Sequence, residues 1–228
     1  MPVLSGTPPV EITLRRSARA RRFSLRVSRL DGRVTLSVPL RAQESEAMAF
    51  ARAQEDWIRT TLSRMPSQAG VGMGTILPVE GRLLTLTPAT GRAPRIEGDS
   101  LLVPGDPAQA GIRAGAFLKL MARDRLSAAS DRYAVMVGRP VTRISLRDTR
   151  SRWGSCAHDG SLMYSWRLIM APPSVLDYVA AHEVAHLVEM NHSTAFWDVV
   201  TRLCPHWKQE RGWLHEHGQA LHGYRFGD

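Results

Sequence analysis

The sequence predicts an α+β fold that is β-rich in its first half and α-rich in its second. Three observations carry this expectation. Short alternating segments broken by Gly and Pro dominate residues 1–105, and long stretches of helical spacing dominate residues 106–228. The third is "AAHEVAHLVEMNHSTAFW" (180–197), which reads as a buried helix yet carries three histidines and two acids. Two regions are therefore expected, 1–105 with strands and one helix, and 106–228 holding the histidine helix.

In chain order, "VEITLRR", "RRFSLRVS" and "GRVTLSVP" alternate as strands within residues 10–38, and "LDGR" (30–33) signals a hairpin turn. "AQESEAMAFARAQEDWIRTTLSRM" has helical spacing, with Met48, Ala51, Trp57, Ile58 and Leu62 on one face and Pro66 as its stop. "TILPVEG", "RLLTLTPA" and "SLLVPG" return to strands before residue 105. "AQAGIRAGAFLKLMARDRLSAASDRYAVMVG" is a long amphipathic helix that turns Phe117, Leu118, Met121 and Leu126 to the core and stops at Gly138 and Pro140. "VTRISLRD" (141–148) and "SLMYSWRL" (161–168) read as strands around the loop "TRSRWGSCAHDG". Pro172 and Pro173 sit where a helix would start. The tail from Phe196 reads as two helices split at Pro205.

Composition excludes some classes. With 228 residues, 43% hydrophobic and 22% charged, the chain has the make-up of a globular protein with a real core. No run approaches the roughly 18 apolar residues of a membrane span. The start, "MPVLSGTPPVEITLRRS", lacks an apolar signal core, so a cytoplasmic location is expected, with Cys156 and Cys204 as reduced thiols. The net charge of +9 comes almost wholly from arginine. "RRSARARRFSLRVSR" (15–29) carries arginines and no acid, a composition suited to the phosphates of nucleic acid or of a nucleotide.

The histidines carry the chemistry. His182 and His186 are four residues apart, so a helix points both to one face, where two imidazoles can share a zinc ion. Glu183 lies about 100° further round, placed to act as a general base on a metal-activated water without ligating the metal. His192 follows His186 by six residues and completes the HExxHxxxxxH spacing of metzincins, with Glu189 where those enzymes have glycine. The helix is then expected to run to about Met190, turn at Asn191 in a left-handed conformation, and return His192 to the ion, with Ser193 capping the next helix. His192 is the favoured third ligand and Glu189 the competing one. His158, His206, His215, His217 and His222 lack ligand spacing to this motif, although His215 and His217 suit adventitious metal.

"RSRWGSC" (150–156) together with "APPSVLDYVAAHEVAHLVEMNHSTAFW" (171–197) resembles the YgjP-like family of predicted zinc metallopeptidases, which is related to the SprT-like zincins. The likeness extends over most of the chain. It implies a zincin-like α+β catalytic half with one zinc ion on His182, His186 and His192, and Glu183 as base. It implies hydrolysis of polypeptides, while a nucleotide pyrophosphatase activity toward UTP is also attached to the family. The likeness to SprT-like proteases adds a third reading, a DNA-associated module in which the basic N-terminal half binds nucleic acid. For a peptidase, "SLMYSWRL" offers an edge for an extended substrate, Arg152 and Trp153 line the cleft, and Tyr164 or Arg152 stabilises the oxyanion. For nucleotide hydrolysis, Arg150, Arg152 and Arg167 are the arginines nearest the metal helix. No membrane partner is expected.

Overall fold

The computed structural model describes residues 2–28, 32–63 and 69–227. The chain forms two compact units, Met1–Ser67 and Gln68–Asp228.

In the first unit, β1 (Val3–Leu4), β2 (Val10–Ser17), β3 (Ser24–Val27) and β4 (Val34–Pro39) form one sheet in the order β1-β2-β4-β3. β2 runs parallel to β4, and β3 pairs antiparallel with it. The alternation read in the sequence is what divides the faces: Ile12, Val34 and Leu36 are fully buried, while the residues between them point away. Of the expected hairpin turn at 30–33, Leu30 and Asp31 lie outside the described residues, as does Pro66. The single helix expected after β4 is two, α1 (Glu44–Ala53) and α2 (Glu55–Ser63). The break falls at Gln54, whose φ of −107° and ψ of 12° leave the helical region. The re-aimed second helix buries Ile58 and leaves Trp57 47% exposed, so Trp57 is not the core residue its spacing suggested.

The second unit starts at residue 68, not 106. β6 (Ile76–Val79), β7 (Arg82–Ala89), β8 (Arg95–Glu97) and β9 (Ser100–Pro104) form a sheet ordered β6-β7-β9-β8. Its apolar residues Leu77, Val79, Leu84, Leu86, Leu101 and Val103 share one core with Ala114, Leu118, Ala122 and Leu126 of α3 (Ala110–Val137). Composition groups these strands with the N-terminal ones, but a sheet must bury its apolar face somewhere, and this one does so against α3. Small residues on α3 allow close approach: a Cβ at Gly115 would come within 3.1 Å of Phe226. Gly138 ends α3 with a left-handed φ of 64°, the stop expected there.

A second sheet, ordered β10-β12-β11, comprises β10 (Arg143–Arg147), β11 (Gly154–Cys156) and β12 (Ser161–Ser165). β12 is its central strand, parallel to β10 and antiparallel to β11. "SLMYSWRL" is therefore not an edge: both sides of β12 are paired, and Trp166–Met170 leaves the strand as a 3-10 helix. β11 was expected as loop. α4 (Pro173–Ala185), α5 (Thr194–Leu203) and α6 (Trp207–His217) complete the core, and β13 (Tyr224–Arg225) returns to pair with β5 (Ala69–Gly70). No helix among the described residues is long and apolar enough to cross a membrane.

Candidate metal centre

Pro172 and Pro173 open α4 as expected, since a proline at the first helical position lacks only a donor that would go unused. The helix ends earlier than its spacing suggests. Its last residue is Ala185, and His186 is the C-cap in a right-handed conformation (φ −66°, ψ −16°). The chain then tightens, with Leu187 N–H donating to Val184 O at 3.0 Å and Val188 N–H to Ala185 O at 3.1 Å. Asn191 does not adopt the left-handed conformation: among the described residues, Glu80 is the non-glycine with positive φ. Instead the Asn191 side chain accepts a hydrogen bond from Ser193 N–H at 3.0 Å and makes the turn that way. Ser193 occupies the N-cap of α5 by position, without a side-chain bond. No glycine is needed at residue 189, because the helix has already stopped.

This path brings three imidazoles together. Ligand-capable atoms of His182, His186 and His192 all lie within 4.8 Å of one another. His182 Nε2 and His192 Nε2 are 3.2 Å apart, close to the roughly 3.3 Å that separates two nitrogens each 2.0–2.1 Å from a tetrahedral ion. His186 donates Nδ1–H to Glu189 O at 2.9 Å, which leaves its Nε2 lone pair free for a cation. Burial, reinforced by His186 and His192, pushes the His182 pKa down to about 3, and burial also lowers that of His186. Both rings are thus neutral donors at pH 7. His182 Nδ1 is buried and has no partner. The donor set therefore fits a divalent metal ion, and Glu189 contributes a carbonyl that orients a ring.

Phe196, fully buried in the first turn of α5, forms the floor, its ring centroid 4.9, 4.4 and 4.8 Å from those of His182, His186 and His192. Sequence reasoning missed it. The signal was an aromatic four residues after His192, just past an N-cap, where α5 is forced to face the ring it follows.

Glu183 is 6% exposed, and burial pushes its pKa up to about 8, with the Arg152 charge pulling the other way. Its carboxyl lies directly on Gly154 of β11: a Cβ there would come 2.5 Å from Glu183 Oε1 and 2.6 Å from Cγ. Glycine in "WGSC" is a space requirement of the acid two elements away. Gly154→Ala is expected to displace the Glu183 carboxyl and lower any turnover that depends on it by about 10²-fold, with metal content unchanged; full activity would show that the carboxyl position is not critical.

The other expected site residues separate. Arg152 is exposed beside Glu183's field. Trp153 is half-buried and stacks on His222 at 5.1 Å, with Gly218 packed against its indole, so it braces the C-terminal segment. Tyr164 is fully buried, its hydroxyl 2.9 Å from Ser130 Oγ, and burial raises its pKa. It cannot meet a substrate from there. Arg167, expected to face phosphates, is buried in a two-pronged ion pair with Asp148, at 2.6 and 2.9 Å, and donates to Leu221 O and Tyr224 O. Cys156 and Cys204 are free thiols, as expected. Neither these nor the remaining histidines join a second metal-holding group among the described residues.

A sequence model of the family described as YgjP-like, metallopeptidase domain, matches residues 21–217 of the chain. No curated protein and no solved structure matches it.

Proposed function

The chain belongs to the YgjP-like metallopeptidase family, and from that membership we propose that it is a zinc-dependent peptidase with His182, His186 and His192 as ligands and Glu183 as general base. The observation that carries the reading is the convergence of three imidazoles beside one buried carboxyl. An all-imidazole set without thiolate or carboxylate suits zinc well. Zinc in such a set supplies Lewis acidity, polarising a scissile carbonyl and acidifying the attacking water.

The chain's own residues do the rest. A Glu183 Oε atom takes the proton from the attacking water and returns it to the departing amine nitrogen. Arg152 favours the ionised form that this role needs, against the burial that opposes it. Gly154 fixes where the carboxyl sits. The substrate edge is reassigned from β12 to β11, whose outer side has no strand partner among the described residues. An extended polypeptide added there would run past Gly154 and so past Glu183.

Nucleotide hydrolysis has less support, because Arg167 is consumed by Asp148 and two carbonyls. The deciding experiment digests an unfolded protein with zinc-loaded enzyme, using chelated enzyme as the blank, and measures pyrophosphate release from UTP in parallel. Cleavage that needs zinc supports the peptidase. Release from UTP without cleavage would replace it.

His192→Ala is expected to lower bound zinc from about one ion per chain to a small fraction of that, read by elemental analysis after dialysis, since two ligands hold zinc far more weakly than three. Full occupancy in this variant would return Glu189 as the third ligand.

A further inference from the structure

We infer that the open face of the first unit's sheet is a docking surface for the phosphodiester backbone of a nucleic-acid duplex. The first 67 residues hold twelve arginines and six acids, a net +6, against +3 for the remainder of the chain. That asymmetry is sharper in space than in sequence. Four of the six acids, Glu44, Glu46, Glu55 and Asp56, lie on α1 and α2. Those helices share a core with Ile12, Val34, Leu36 and Val38 on the sheet's apolar face.

The opposite face is set by register. Thr13 pairs with Thr35, and Arg15 with Ser37; across β4, Ser37 pairs with Ser24 and Thr35 with Arg26. Hydroxyls thus lie between Arg15 on β2 and Arg26 on β3, with Arg19, Arg21 and Arg22 exposed on the β2–β3 connection. The acid on this face among the described residues is Glu11, which sits opposite Val3 toward the β1 edge. None of these five guanidinium groups has an acidic partner among the described residues. By contrast, Arg59 near the helices is paired with Glu55.

The chemistry selects the occupant. Unpaired guanidinium and hydroxyl groups are donors for phosphate oxygens. The face carries no aromatic residue in these strands; Phe23, just before β3, packs on Phe50 instead. Single strands are gripped by stacking their bases on aromatics, so this surface suits a duplex, whose bases are already stacked. Its exposed large apolar side chain among the described residues is Val3, at the β1 edge, far less than the apolar face that inserts into a lipid interface.

The test measures fluorescence anisotropy of a labelled 20-base-pair DNA duplex with the full-length protein over a salt series. Binding is expected at low salt, weakening linearly in log–log form, and Arg15→Ala/Arg26→Ala should reduce the salt slope by about two. Arg139→Ala/Arg202→Ala removes the same charge from exposed positions of the second unit and should leave the slope unchanged. Equal losses in both double variants would reduce the effect to overall charge and overturn the proposal. So would absence of duplex binding at low salt, tighter binding of the matching single strand, or binding confined to anionic phosphatidylglycerol vesicles.

Discussion

Glu183→Gln is expected to keep its bound metal and to lose turnover by about 10²–10⁴-fold, the usual contribution of a positioned general base. The substitution is nearly isosteric, so the amide can occupy the space left by Gly154. It also removes a group whose charged form is disfavoured where it sits, burial having pushed its pKa up to about 8. Folding stability should therefore be unchanged or higher, which separates a catalytic loss from unfolding. The three ring nitrogens that would hold the ion are untouched, so zinc content by elemental analysis should match the parent. Turnover near the parental value would remove Glu183 as base. A parallel loss of zinc would mean that the carboxyl helps to hold the centre.

Arg167→Ala is expected to destabilise the second unit by about 3 kcal/mol, the range for deleting one partner of a buried ion pair. The side chain is 7% exposed and makes four bonds: two to Asp148, and one each to Leu221 O and Tyr224 O. It also lies 4.9 Å from the Trp166 ring centroid and 5.9 Å from that of Phe226. Burial alone would raise the Asp148 pKa, but the hydrogen bond and charge of Arg167 hold it below its ordinary value. Arg167→Lys should recover little, since an ammonium group cannot reproduce the planar fork that meets both carboxylate oxygens. Asp148→Asn should cost less, because its side chain is 36% exposed and water replaces part of what is lost. Urea unfolding followed by tryptophan fluorescence reads this unit, which contains five of the six tryptophans. A change below about 1 kcal/mol for Arg167→Ala would make the pair a surface interaction in effect.

The first expectation concerns a residue legible from spacing, the second one that was misread. Arg167 looked like a phosphate ligand because it is near the metal helix in sequence. Its partners, Asp148 on one side and residues 221–224 on the other, are brought to it only when the C-terminal segment folds back. Tyr164 was misread for a related reason. Alternation placed it on a strand, but could not say that β12 would be central and its hydroxyl enclosed against Ser130 of α3.

Local patterns determined the elements, because hydrophobic period, proline and glycine act within a few residues. The α+β class, the start of α4 at its two prolines, the end of α3 at Gly138 and the split of the last helices at Pro205 follow from the sequence alone. So does the choice of His182, His186 and His192 as the residues that converge, since a helical turn and a short return segment fix their reach. Tertiary structure decided what depends on distant partners. It assigned residues 69–105 to the second unit, because the apolar face of β6–β9 packs on α3. It ended α4 at Ala185 and made the return through the Asn191 side chain. It also set Gly154 against Glu183 and Phe196 beneath the three imidazoles. Those contacts join residues up to 29 positions apart, and only a packed core can select among the many partners that a sequence leaves open.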